Sequence, residues 1–160
     1  MTDRFNKLHH PGIVVRDIDE AQAYSESTGI GPSEIYPPLT EYAELDVPGR
    51  AGVYAMNYRI CKLPNVRLQL CQPSHGPSPQ RIYLDTKAEG VFHVGSKGSD
   101  ADTTAAQVRR DRRKAMARGR RANRGGFTDC NSAKRGWCRL ADTRHGPAGD
   151  IKHAFHRPQL

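Results

Sequence analysis

The chain has 160 residues, one domain's length or two very small modules, with 36% hydrophobic residues and a formal net charge of +8. Mean hydropathy is −0.74 and the pI is about 9.6. No run of 18 apolar residues occurs, which excludes a transmembrane helix, and Met1-Thr2-Asp3-Arg4 has no apolar stretch behind it, which argues against a secretory signal. Four cysteines are too sparse for a disulfide scaffold, so the expected setting is the cytoplasm with reduced thiols.

Residues 8–16 read as a strand ending in the β-branched run Ile13-Val14-Val15. Asp17-Ile18-Asp19-Glu20 predicts a helix start, because Asp17 or Asp19 can cap and Glu20 suits the positive helix end. Thr28-Gly29-Ile30-Gly31-Pro32 predicts its end. Residues 34–46 alternate weakly around Pro37-Pro38. Tyr54 to Ile60 reads as a strand and Leu63-Pro64-Asn65 as a turn. Val66, Leu68 and Leu70 then alternate with Arg67, Gln69 and Cys71, a half-buried strand. Residues 73–81 read as a loop. The first part is therefore strand, helix, then three strands: βαβββ.

The opening motif returns 83 residues later. His10-Pro11-Gly12-Ile13 is matched by His93-Val94-Gly95, a histidine early in a short apolar strand with glycine two residues on. Asp100-Ala101-Asp102 matches Asp17-Ile18-Asp19, and Thr103 to about Ala117 predicts a second helix carrying Arg109, Arg110, Arg112 and Arg113. This weak repeat predicts an α+β chain of two βαβββ modules, residues 1–85 and a degenerate, incomplete 86–145, followed by a tail at 146–160. Beyond Asp129 no periodicity is evident.

Charge and composition break between the two parts. Up to Ser96 there are nine Lys and Arg against eleven Asp and Glu; beyond it there are sixteen against six. Large apolar residues also thin out in the second part. A nucleic-acid-binding tail, a solvated basic face and an out-of-frame, Arg-rich second half all account for this. Nucleic acid is the weaker partner, since no aromatic side chains interleave with the arginines for base stacking. A coenzyme A phosphate site is another use for them.

Leu8-His9-His10-Pro11-Gly12-Ile13-Val14-Val15-Arg16-Asp17-Ile18, Leu68-Gln69-Leu70 and Phe92-His93-Val94-Gly95, in that order and spacing, resemble the vicinal oxygen chelate superfamily of glyoxalases, methylmalonyl-CoA epimerases, drug-resistance proteins and extradiol dioxygenases. The resemblance implies a cupped mixed sheet around one divalent metal ion, with His10, Gln69 and His93 as ligands. Zn, Ni, Co, Mn or Fe suits such a donor set. The implied fourth ligand is a carboxylate in the last strand, but the position falls near Leu140; Asp142 is a substitute sharing a face two residues on. His9, adjacent to His10, is expected to point the other way and to be structural. His75, His145, His153 and His156 read as loop and tail residues. Cys130 and Cys138 lack the spacing of a zinc knuckle.

The function implied is proton transfer next to a metal-bound carbonyl, isomerase or lyase, on an acyl-CoA or a small 2-oxo compound, by a homodimer with no membrane partner. No catalytic base is evident: Gly52 to Tyr58 holds no carboxylate, and only Glu44 and Asp46 lie nearby. Small-molecule binding without catalysis, as in drug-resistance relatives, and an inactive relative with a corrupted basic half are the alternatives.

Overall fold

The computed structural model describes residues 7–98, 101–110, 112, 114–123, 125–130 and 139–144. The first strand, β1 (Leu8–Val14), leads into helix α1 (Ile18–Ser27). Asp17 is its cap: Oδ1 accepts from the backbone N–H of Asp19 and Glu20, both at 3.0 Å. Strand β2 (Ser33–Ile35), a 3-10 turn (Leu39–Glu41), β3 (Glu44–Asp46) and a short helix α2 (Arg50–Tyr54) follow. The antiparallel pair β4 (Met56–Lys62) and β5 (Arg67–Pro73) ends this part.

Helix α3 (Pro79–Lys87) begins inside the segment expected to be a loop. Ser78 caps it by accepting from Arg81 N–H at 3.1 Å, and Pro79 occupies the first turn, where its missing N–H costs nothing. The second part runs β6 (Gly90–Lys97), α4 (Ala101–Arg110), β7 (Ala115–Arg120), β8 (Gly126–Cys130) and β9 (Arg139–Arg144). Two expectations are corrected here. The second helix stops at Arg110 rather than near Ala117, because residues 115–120 pair with β8 and β3. The second part also has its full strand complement: β9 forms past the point where periodicity is lost, zipped between β6 and β8. The tail at 146–160, with His145, His153, His156 and Cys138, lies outside the described residues.

The nine strands of the described residues form one sheet in the order β2-β4-β5-β1-β6-β9-β8-β7-β3. In each half the last strand lies parallel beside the first, β5 on β1 and β9 on β6. The halves meet where β1 and β6 run antiparallel. The sheet is mixed, as the two-module reading requires. It also has to curl. Nine flat strands would span about 38 Å edge to edge. Its two edge strands, β2 and β3, are joined by the stretch from Ile35 to Glu44, which fully extended reaches only about 31 Å and is shortened by a 3-10 turn. The sheet therefore wraps into a cup.

Apolar clusters on both faces hold the helices down. On the convex side Val15, Ile18, Cys61 and Leu70 pack under α1; on the cavity side Val14, Met56, Cys71, Leu84 and Phe92 pack by α3. Each fully buried Leu, Ile or Phe contributes about 1.5–3 kcal/mol by leaving water. A third cluster, Leu39, Leu45 and Val53 with Tyr36, Tyr42, Tyr58 and Phe127, joins the connecting segment to β8. It fastens the cup's two ends.

The edge pair β3–β7 is held by charge as well. Glu44 stands opposite Arg120 in register, and the guanidinium donates to both carboxylate oxygens. Arg118 likewise meets Asp102 of α4. These arginines sit on a strand with acidic partners, not on a solvated helix face. Hydrogen bonding from Arg120 holds the Glu44 carboxyl below its usual range. The pair thus stabilises the fold above the ordinary glutamate pKa, and the gain disappears as pH falls through the lowered value. Glu44→Gln will lower the urea midpoint slightly at pH 7, and the gap from wild type will close in acid.

Candidate functional site

The concave side of the cup encloses a cavity of about 110 Å³. One water needs roughly 10–15 Å³ on this scale, so the space accepts a small organic group. His10, Gln69 and His93, the three residues implied by the resemblance, all line it. They come from β1, β5 and β6, which are distant in sequence but adjacent in the sheet.

The register explains how. Gly12 pairs with Gln69 on one side and with His93 on the other. His10 pairs with Gly95. Paired residues share a face, so each histidine stands across the seam from the other half's glycine. A Cβ at Gly12 would collide with the His93 ring, and a Cβ at Gly95 would collide with the His10 ring. The glycine two residues after each histidine therefore makes room for the other histidine. That is the physical content of the repeated His-x-Gly motif.

Seated this way, His10 Nε2 and His93 Nε2 lie 2.9 Å apart, both residues buried. Two imidazole nitrogens about 2.1 Å from one divalent ion, at a right angle, stand about 3.0 Å apart. The pair is spaced as cis ligands would be. His10 Nδ1 is 2.7 Å from His9 Nδ1. With His10 Nε2 free of its proton, Nδ1–H can donate to His9, the outer hydrogen bond that orients ligating histidines.

His9 corrects its predicted place. It is buried and lines the cavity, because a register irregularity between Leu8 and His10 breaks strand alternation there.

The fourth-donor position is also displaced from its predicted place. In the first half Gln69 sits on the last strand beside Gly12; in the second half the residue beside Gly95 is Ala141. Arg67-Leu68-Gln69 thus corresponds to Arg139-Leu140-Ala141, and the position is 141 rather than 140. Ala141 brings no donor. Position 142 registers with Ser96 and Thr128, one step along the strand from the Gly95–Ala141–Asp129 row. Among the described residues no group of three or more His, Cys, Asp and Glu is arranged to hold a metal ion. The donors present are two imidazoles and an amide, which fit a weakly held divalent ion.

Among the described residues, the carboxylate lining the cavity is Asp129 of β8, which belongs to no sequence motif. It pairs with Ala141, so His10, Gly95, Ala141 and Asp129 form one cross-strand row. Glu44 is bound to Arg120 at the far edge, and neither it nor Asp46 lines the cavity. Tyr58 and Cys71 lie near Asp129; burial foremost, with the Asp129 charge adding, raises both their pKa values, so both stay protonated.

Gly12→Ala will destabilise the fold by about 1–3 kcal/mol, the usual cost of overpacking. Adding His93→Ala will recover part of that loss, because the added methyl then meets no ring. Urea unfolding of the four members of the cycle measures the coupling; strict additivity would contradict the seating.

A sequence model described as the Glyoxalase/Bleomycin resistance protein/Dioxygenase superfamily matches residues 9–131. No curated protein matches the sequence. Among solved structures, methylmalonyl-CoA epimerase from Mycobacterium tuberculosis superposes with a TM-score of 0.67 at 16% identity, covering 92% of this chain and 93% of that one. A variant of the Streptomyces coelicolor methylmalonyl-CoA epimerase, bound to 2-nitronate-propionyl-CoA, gives 0.65 at 18%, covering 87% and 96%. A hypothetical protein from Bacillus halodurans gives 0.64 at 12%, covering 88% and 94%. At these identities the structural likeness shows a shared fold. With its family model spanning most of its length and its cupped sheet shared with those structures, the chain belongs to the glyoxalase, bleomycin-resistance and dioxygenase superfamily.

Proposed function

We propose that the chain is a divalent-metal-dependent enzyme that moves a proton next to a carbonyl, an isomerase or lyase acting on an acyl-CoA or a small 2-oxo compound. The observation that carries this reading is the 2.9 Å approach of two buried imidazole nitrogens at the floor of a cavity. His10, Gln69 and His93 would hold the ion, which can be Zn, Ni, Co, Mn or Fe. Bound there, such an ion would supply Lewis-acid polarisation of a carbonyl. The chain's own residues do the rest. His9 orients His10 through Nδ1. Asp129 takes the proton, as the carboxylate that reaches the cavity. Tyr58, held neutral by burial, offers a hydroxyl rather than a charge. The protein is read as a cytoplasmic homodimer, and its two repeats, at 1–85 and 86–145, as the units that share the site.

A second reading is small-molecule binding without catalysis. Ala141 favours it, because a site with one donor fewer holds its ion less tightly.

Elemental analysis after purification will find about one divalent ion per chain in the wild type and none in His10→Ala or His93→Ala. Ala141→Glu, adding a carboxylate at the position symmetric to Gln69, will tighten metal binding roughly tenfold or more. Asp129→Asn will keep the ion and lose turnover of acyl-CoA or 2-oxo substrates. A folded wild type that binds no divalent ion would contradict the enzyme reading and leave the binding protein.

A further inference from the structure

Arg121, just past the end of β7, lines the same cavity. Its guanidinium carbon is 4.7 Å from the centre of the Tyr42 ring and 5.6 Å from that of Tyr36, within cation–π range. One terminal nitrogen donates to the Tyr36 hydroxyl at 3.2 Å. Tyr36 and Tyr42 are themselves joined hydroxyl to hydroxyl at 3.0 Å. Burial keeps Tyr42 a neutral phenol far above neutral pH. The backbone N–H of Arg121 donates to Gly125 O at 2.8 Å, which holds the turn behind it. The arginine is thus fixed by two aromatic faces and a tight turn.

Its charge feels the Glu41 carboxylate but is not paired with one. Arg118 and Arg120, on the strand before it, each have a carboxylate partner. Among the described residues Arg121 has none within ion-pair distance. Its Nε is buried and without a hydrogen-bond partner. A half-buried guanidinium that lines a cavity and has no paired carboxylate carries a desolvation cost that an anion would offset. A guanidinium fork matches a planar carboxylate through two parallel hydrogen bonds.

We propose that the ligand of this cavity carries a carboxylate, received by Arg121, while its other end lies toward His10 and His93. This rests on the reading of the cavity as a substrate site and narrows it: among small 2-oxo compounds it selects 2-oxo acids over neutral aldehydes and ketones. Tyr36 and Tyr42 are positioning residues; they aim the guanidinium and exclude water from one side of it.

Pyruvate and its neutral amide, pyruvamide, share the 2-oxo group and differ in the charge. Calorimetric titration of wild type should show pyruvate binding about 10–100-fold tighter, the usual worth of charge-assisted hydrogen bonds. Arg121→Gln should remove that preference and leave pyruvamide unchanged. Arg121→Lys should recover part of it, since lysine keeps the charge but not the fork. Equal binding of the two probes by wild type would overturn the proposal without any variant. Undiminished pyruvate binding by a folded Arg121→Gln would do the same, and so would binding of inorganic phosphate in place of pyruvate. Metal content, measured in the same samples, separates this test from the enzyme reading. Discrimination between the probes without bound metal would keep Arg121 and discard the metal. Bound metal without discrimination would do the reverse.

Discussion

Each half of this protein lends the other an absence. At the antiparallel β1–β6 seam, His10 stands over Gly95 and His93 over Gly12. Neither ring could lie where it does if the opposing residue had a side chain. The exchange brings two imidazoles from distant strands to hydrogen-bond distance and fixes the register of the seam. A slip by one residue would turn both histidines to the helix-covered side. Cavity, seam and sheet register are therefore one constraint seen at three scales.

Curling of the sheet is the second constraint, and it follows from connectivity. The short stretch between β2 and β3 ties together the two outermost strands of a nine-stranded sheet. The same stretch supplies Tyr36 and Tyr42, so the segment that closes the cup also furnishes its aromatic wall. Arg121 then sits against that wall, opposite in origin and complementary in chemistry. The cavity is thus lined by a cation against aromatic rings, by imidazoles and an amide, and by the Asp129 carboxylate.

Much of the first half was legible in sequence because its signals are local. Asp17 caps α1, Val66 to Cys71 alternates, and the His-x-Gly repeat marks both seam strands. The second half was less legible for physical reasons. The basic run after Arg109 looks helical, yet residues 115–120 are taken into the sheet, where Glu44 and Asp102 answer Arg120 and Arg118. Those partners are remote in sequence, so composition alone mistakes paired arginines for solvated ones. Helix α3 was hidden because Pro79 reads as a breaker, though Ser78-Pro79 is a start signal. His9 was misplaced by assuming strict alternation across an irregular register. Asp129 and Arg121 carried no motif. Only the fold shows that they share a cavity with His10, and only the pseudo-symmetry shows that Ala141 stands where Gln69 predicts a donor.

The central claim is that the reciprocal histidine–glycine seam creates a two-imidazole ligand pair. X-ray absorption spectroscopy on the zinc-loaded chain tests it most directly. The account predicts two imidazole nitrogens at about 2.0–2.1 Å from the ion, falling to one in His10→Ala or His93→Ala if any ion is retained. A first shell without imidazole, or one unchanged by either substitution, would contradict it.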